Sequence, residues 1–379
     1  MVHHKPDDNQ EVSEDDRISG VPDSRVAQFA AGRDPSEAFA TLLERVRRDV
    51  DARLAGYLDA RVSDTAHHGA DVGAMAHAIR DLTLRGGKRV RAALVLVGYL
   101  AADESMPEEP ALDAGVAFEL LQTYLLIHDD WIDGDDLRRG GPSVPAMLRR
   151  HHGSRELGDA AAILAGDFAA ALSLDVLSRL DAPPARLVRA LSLFAEIQQQ
   201  VICGQQIDVA GRVREVETYY GLKTGSYTVR GPLLLGAILA GAPSEVMACL
   251  EAYAAPMGIA YQMQDDLLGV FGDAKRTGKP VGEDLRKGKG TAVLRAAQSM
   301  LEGDDKALLQ HVVGHLDAKH EDIAKLTRVL EDRGVRAAVI RRIGDLIQRS
   351  LSALVDMPLS DCSRTWLLGA ASMIASRLD

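Results

Sequence analysis

Apolar residues recur at three- and four-residue spacing along most of this chain. Phe39, Leu42, Leu43, Val46, Val50, Leu54, Tyr57 and Leu58 set the pattern, which is that of an amphipathic helix. Asp34-Pro35-Ser36-Glu37 stands before it as an N-cap, a proline at the first helical position and an acidic residue in the first turn. The polar stretch 63–71 (SDTAHHGAD) predicts a break. Further Ala- and Leu-rich helical runs follow at 75–101, 111–133, 158–180, 184–210, 216–241, 244–271, 291–301, 305–315, 319–332, 335–355 and 361–377. Proline and glycine fall mostly between them, at Pro107, Pro110, Gly140–Pro142, Pro183-Pro184 and Gly272–Gly290. No segment alternates with the period of two that a half-buried strand requires. The pattern predicts an all-α fold, one large single-domain helical bundle, without an internal repeat of fixed period.

The first 25 residues depart from this pattern. Asp7, Asp8, Glu11, Glu14, Asp15, Asp16 and Asp23 face only Lys5, Arg17 and Arg25, with hardly a large apolar residue among them. Such a segment cannot offset its own ordering entropy. Residues 1–33 are therefore expected to be a disordered acidic tail, and 34–379 the folded domain. The whole chain carries 44 Lys and Arg against 55 Asp and Glu, a net charge of −11. That balance argues against a nucleic-acid partner, because phosphate-backbone affinity comes from a basic face. Cys203, Cys249 and Cys362 are odd in number and scattered, so no disulfide framework or cysteine zinc site is expected. A reducing, cytoplasmic location fits. Apolar runs such as Pro232–Ala242 are shorter than the ~20 residues a membrane span needs, which predicts no transmembrane segment. MVHHKPDDNQ at the start has no basic-then-apolar signal-peptide layout.

Two carboxylate clusters carry the candidate chemistry. The run LLQTYLLIHDDWIDGDDLRR at 120–139 ends a helix with Asp129 and Asp133 four residues apart, hence on one face, with Asp130 beside them. Asp265 and Asp266 end a second apolar helix, and Gly269 stands where the first cluster has its third aspartate. Carboxylates gathered at the end of a buried helix repel one another without a counter-ion. A hard divalent cation with oxygen ligands, Mg²⁺ above all, is the natural partner. Helix capping or a solvated face is the alternative for either pair taken singly.

Mg²⁺ held by a few carboxylates completes its shell with substrate phosphates and water, so cations should stand nearby. RGGKRVR at 85–91 offers Lys88 and Arg91 after a glycine pair that lets backbone approach an anion. Arg138 and Arg139 follow the first cluster directly, and Lys223-Thr224-Gly225 interrupts an apolar helical region. Residues 272–291 hold Lys275, Arg276, Lys279, Arg286, Lys287 and Lys289 among five glycines and read as a mobile basic lid. No Walker-type or dinucleotide-binding glycine motif occurs, which disfavours a nucleotide kinase or a dehydrogenase.

These segments resemble the trans-isoprenyl diphosphate synthases, or polyprenyl synthetases. GGKRVR at 86–91, LLQTYLLIHDDWIDGDDLRRG at 120–140, KTG at 223–225, YQMQDDLLGVFGD at 261–273 and GKPVGEDLRKGKGT at 278–291 match that family in order and spacing. The resemblance spans roughly 38–378. It implies an isoprenoid synthase bundle around a deep central apolar cavity, working as a homodimer. It also implies that Asp129, Asp133 and Asp265, supported by Asp130 and Asp266, hold three Mg²⁺ ions on the diphosphate of an allylic substrate. Arg138, Lys223, Thr224, Gln262, Lys279 and Lys289 would contact that diphosphate. Gly87, Lys88, Arg91, Gln122 and Arg139 would hold the second substrate, isopentenyl diphosphate. Gln122 stands where many bacterial members have histidine, and Gln can still donate to a phosphate oxygen. Tyr124, with Leu125 beside it and Leu121 beneath, is expected to set product length: five residues before Asp129, it lies about 7.5 Å deeper along the helix. The implied product is the twenty-carbon geranylgeranyl diphosphate, with farnesyl diphosphate as the alternative. A class I terpene cyclase and a non-catalytic regulatory subunit of a prenyl synthase are the competing readings.

Overall fold

Asp34 caps the first helix as its sequence predicts, its carboxylate accepting the Ser36 amide at 2.9 Å. The structure is a computed structural model that describes residues 34–272 and 282–376; the acidic tail and Lys275, Arg276 and Lys279 lie outside them. Helix α1 (Pro35–Thr65) buries Phe39, Leu42, Val46, Val50, Leu54 and Leu58. It runs three residues into the stretch expected to break it, then passes through a single 3₁₀ turn (Ala66–His68) to Gly69.

The run at 75–101 is two helices rather than one, α2 (Ala70–Leu84) and α3 (Val90–Tyr99). Gly86, Gly87 and Arg89 between them all have positive φ, a region an L-residue helix cannot occupy. Helix α4 (Glu109–Asp133) follows, and nearly all of 111–124 is buried. A helix buried on every side is the centre of its bundle. Gly134, left-handed at φ 70°, ends it immediately after Asp133.

A two-residue hairpin, β1 (Leu137–Arg138) antiparallel to β2 (Gly141–Pro142), then turns the chain. The short α5 (Val144–His152), missing from the sequence pattern, is capped by the Ser143 hydroxyl on the Ala146 amide. Helices α6 (Arg155–Ser178) and α7 (Pro184–Val209) follow. The expected helix 216–241 divides into α8 (Val216–Tyr220), a π-helical segment (Gly221–Arg230) and α9 (Gly231–Ala240). Next come α10 (Ser244–Phe271), the single turn α11 (Glu283–Arg286), α12 (Ala292–Met300), α13 (Gly303–Val312), α14 (His320–Asp332), α15 (Val335–Ser352) and α16 (Asp361–Ala375).

Helix α4 packs along α6 and α3, α9 packs on α3, and α10 lies between α15 and the π segment, while α16 closes against α1. Glycines permit the closest crossings. A Cβ at Gly98 would fall 2.0 Å from the Leu233 carbonyl oxygen, and one at Gly236 would fall 2.0 Å from that of Val95. Helix α6 is the one described helix long and apolar enough, by length and composition, to cross a membrane, a test that the core helix of a bundle also passes. In this fold it is a bundle helix, with Asp159 paired to Arg149 and Asp175 accepting from the Tyr57 hydroxyl.

Candidate active site

Helix α4 delivers Asp129, Asp130 and Asp133 together at its C-terminal turn. Asp130 points inward and is fully buried. Arg138, brought back by the hairpin, donates Nε to Asp130 Oδ1 at 2.7 Å and sets Nη2 3.5 Å from Asp129 and 3.6 Å from Asp135. Burial pushes the Asp130 carboxyl up to about 6, against the pull of Arg138. Its Oδ2 has no hydrogen-bond partner among the described residues. Asp133 meets Lys289 at 2.9 Å, and Lys287 stands 4.0 Å from it and 3.3 Å from Asp135. Lys287 belongs to the basic segment read from the sequence but not to the residues singled out there.

The second cluster ends α10. Asp266 is buried; its Oδ1 accepts Gln262 Nε2 at 2.8 Å and its Oδ2 accepts the Tyr220 hydroxyl. Tyr220 in turn accepts the Ala292 amide at 2.6 Å, so α8, α10 and the start of α12 meet at one phenol. Burial pushes Asp266 up to about 7, with the neighbouring Asp284 charge adding to it. Asp265, the neighbouring carboxylate, is exposed at its surface but set among dense protein. That crowding pushes it up to about 7 as well, opposed by the Arg91 charge. A Cβ at Gly269 would fall 2.6 Å from Asp284 Oδ2. Asp284 thus fills the space where an acidic side chain at 269 would lie, which a scan along one helix cannot detect.

Lys223 pairs with Asp208, and the Thr224 hydroxyl donates to Gln262 Oε1. Gln205 Nε2 reaches Asp129 at 3.4 Å. Asp208 and Gln205 were missed in the sequence because a lone Asp in a polar helix segment carries no spacing signal. Burial raises the Asp208 carboxylate, but the charge and hydrogen bond of Lys223, with the Lys289 charge, together hold it low. The π-helical turn has a direct role here: its extra residue per turn comes at the segment carrying Lys223 and Thr224.

The third group is basic. Gly87 lies against Arg139, a Cβ there reaching 3.4 Å from Nη2. Arg85 donates to the carbonyls of Arg138 and Pro142 at 3.1 and 2.6 Å, which docks the 85–89 loop onto the hairpin. Arg139 is lowered to about 10 by burial and by the Arg89 charge. Both arginines have left-handed backbone, at φ 51°, a strain that persists where surrounding contacts fix it. Arg89 is held by Glu119 and Asp51, each at 2.8 Å. Arg91 donates to the Thr228 hydroxyl at 2.9 Å and lies 4.5 Å from the centre of the Tyr227 ring. Gln122 is buried, its Oε1 without a partner among the described residues, and Lys88 is exposed. Gly87 and Arg139 are therefore in contact, whereas Arg91 is anchored on the π segment. Lys279 lies outside the described residues.

Below the first cluster, Tyr124 is buried with its ring edge-on to His128 at 4.9 Å. Leu121 is wholly buried and Leu125 partly so. His128 donates Nε2 to the Ile163 carbonyl at 3.1 Å. Gly166 makes room for that ring, since a Cβ there would fall 2.1 Å from Nε2. His128, partly buried, thus joins α4 to α6.

The fold and site define an all-α protein with two acidic helix ends, the first of them met by Arg138, Lys287 and Lys289. Comparison with known proteins agrees. Residues 73–330 match the family model described as polyprenyl synthetase. A short chain isoprenyl diphosphate synthase of Methanocaldococcus jannaschii is 34% identical over 67% of this chain and 76% of its own length. A geranylgeranyl diphosphate synthase of Methanosarcina mazei is 30% identical over 79% of this chain and 89% of its own. Among solved structures, a geranylgeranyl pyrophosphate synthase of Corynebacterium glutamicum, complexed with isoprenyl diphosphate and magnesium, superposes with a TM-score of 0.82. It is 33% identical, over 88% of this chain and 99% of that one. The chain belongs to the polyprenyl synthetase family and is an enzyme of the trans-prenyl diphosphate synthase type.

Proposed function

We propose that this enzyme condenses isopentenyl diphosphate with an allylic diphosphate, in the presence of Mg²⁺, and releases the twenty-carbon geranylgeranyl diphosphate. The observation that carries the reading is the gathering of Arg138, Lys287 and Lys289 on the first acidic helix end, with the Arg91 charge acting on Asp265 at the second. The donor set suits the metal. Asp129, Asp130, Asp133, Asp265 and Asp266 are all hard oxygen donors, and Asp130 keeps a buried oxygen without a partner among the described residues. These five would hold three Mg²⁺ ions, which when bound neutralise diphosphate charge as it leaves.

The rest falls to the chain itself. Arg138, Lys223, Thr224, Gln262, Lys279 and Lys289 bind the allylic diphosphate and stabilise the charge that develops on it as the C–O bond ionises. Gly87, Lys88, Arg91, Gln122 and Arg139 hold the second diphosphate, so that its double bond faces the allylic carbon. The apolar wall of α4 excludes water from the cation. Proton loss to the departed diphosphate completes a chain longer by five carbons. Tyr124 forms the floor, backed by His128.

The enzyme is further proposed to be a cytoplasmic homodimer. Leu157, Leu164 and Ala171 on α6, and Val188, Ala195, Ile202 and Val209 on α7, are exposed at seven-residue spacing. Two such apolar seams fit a helix-packed interface.

Incubating the purified chain alone with Mg²⁺, isopentenyl diphosphate and farnesyl diphosphate, then chromatographing the products, tests the activity. A C20 diphosphate supports the reading, and a cyclised hydrocarbon or no product refutes it. Tyr124→Ala should lower the floor by one turn, to Leu121, and shift products to twenty-five carbons or more; unchanged products would place the floor elsewhere.

A further inference from the structure

Asp71 lies in the first turn of α2, and α5 ends with His151 and His152, 80 residues further along the chain. His151 Nε2 stands 2.9 Å from Asp71 Oδ1, and His152 Nδ1 stands 3.8 Å from the same oxygen. The two imidazole rings meet edge-on at 4.9 Å, and one ligand atom from each residue lies within 4.8 Å of the others. Among the described residues this is the only group of three His, Cys, Asp or Glu side chains so arranged. The aspartates at the ends of α4 and α10 do not form one.

We propose that Asp71, His151 and His152 bind a first-row divalent transition metal, zinc foremost, and that the metal ties the start of α2 to the end of α5. Zinc bonds to imidazole nitrogen and carboxylate oxygen are about 2.0–2.2 Å, so ligand atoms at the corners of its tetrahedron lie about 3.4 Å apart. The two separations to Asp71 bracket that value. The chemistry also separates it from the Mg²⁺ aspartates, since imidazole nitrogen suits zinc, nickel and copper while an all-oxygen set suits magnesium. An ordinary ion pair would account for His151 on Asp71. It gives no reason for a second imidazole turned toward the same oxygen, where the two rings compete as donors. A shared metal accounts for both. Asp71 and His151 are exposed and His152 partly so, which leaves an entry path and room for water at the fourth position.

The test is calorimetric titration of Zn²⁺ into the full chain, stripped of metal and held in saturating Mg²⁺ to occupy the aspartates. His3 and His4 in the tail are first replaced by alanine to remove a competing site. One equivalent of zinc should bind per chain and raise the unfolding temperature by a few degrees. Removing an outer-shell partner of a metal costs ~10-fold or more in affinity, and removing a ligand should cost at least that. Asp71→Ala, His151→Ala and His152→Ala should each weaken binding at least that far, with the metal-free unfolding temperature and the Mg²⁺-dependent activity unchanged. Zinc binding unaltered by the three substitutions, no binding at all, or loss in Asp71→Ala and His151→Ala with none in His152→Ala would each overturn the proposal.

Discussion

Asp130, Asp265 and Asp266 sit where the protein itself disfavours their charge, at about 6, 7 and 7 against an ordinary carboxylate value of 3.8. A carboxyl raised in the folded state binds its proton more tightly folded than unfolded. Its contribution to stability is complete below the unfolded value and is lost as pH rises through the folded one. The metal-free enzyme should therefore unfold at progressively lower temperature as pH is raised from about 5 to 8, and Mg²⁺ should recover the loss at pH 8. Thermal scans across that range, with and without Mg²⁺, check both. A profile that rises with pH would show that other groups dominate. The aspartates themselves were legible in the sequence, because i and i+4 carboxylates at the end of an apolar run are a local pattern. Asp284 was not legible, since its relation to Gly269 exists only once α11 lies against α10.

Elements hold these residues at fixed distances, and two of them do so through single atoms. The Tyr220 hydroxyl donates to Asp266 and accepts from Ala292. Tyr220→Phe leaves a buried amide and a buried carboxylate each short of a partner, which costs about 1–3 kcal/mol per group. Urea unfolding should show that loss, and a Mg²⁺ titration of activity should show weaker apparent affinity through a less well-placed Asp266. Full retention of both would leave Tyr220 without a positioning role. At the α3–α9 crossing, Gly236→Ala places a methyl group onto the Val95 carbonyl. Such overpacking costs about 1–3 kcal/mol or more, and with backbone on the receiving side the upper end is expected. Denaturant unfolding of the variant measures it. Helix periodicity revealed these elements but not their ends. The 75–101 run split because Gly86, Gly87 and Arg89 take positive φ to dock on the hairpin. The short α5 escaped notice because nine residues carry too few apolar repeats to register.

At the scale of the whole molecule, the exposed seams of α6 and α7 give the proposed dimer a position. Placing charge in both, Leu164→Glu with Ile202→Glu, should convert the enzyme to a monomer by size-exclusion chromatography with light scattering. Both sites are solvent-facing within the chain, so the monomer's helix content by circular dichroism should be unchanged. A dimer that survives both charges would move the interface elsewhere. The same surface explains the membrane-like composition of α6, a helix with apolar residues on its bundle side and on its outer seam.

What the sequence by itself determined is whatever depends on near neighbours along the chain: the helical period, the caps, the aspartate pairs and the order of motifs that places the chain in its family. Local spacing suffices there because a helix brings i, i+3 and i+4 onto one face whatever surrounds it. Tertiary structure decided what depends on distant segments meeting. It set Arg138 on Asp130, Lys289 on Asp133, Asp284 in the space beside Gly269, and Asp71 against two histidines 80 residues away. It also raised the carboxylates toward neutrality, because desolvation is a property of the surrounding protein rather than of the residue that titrates.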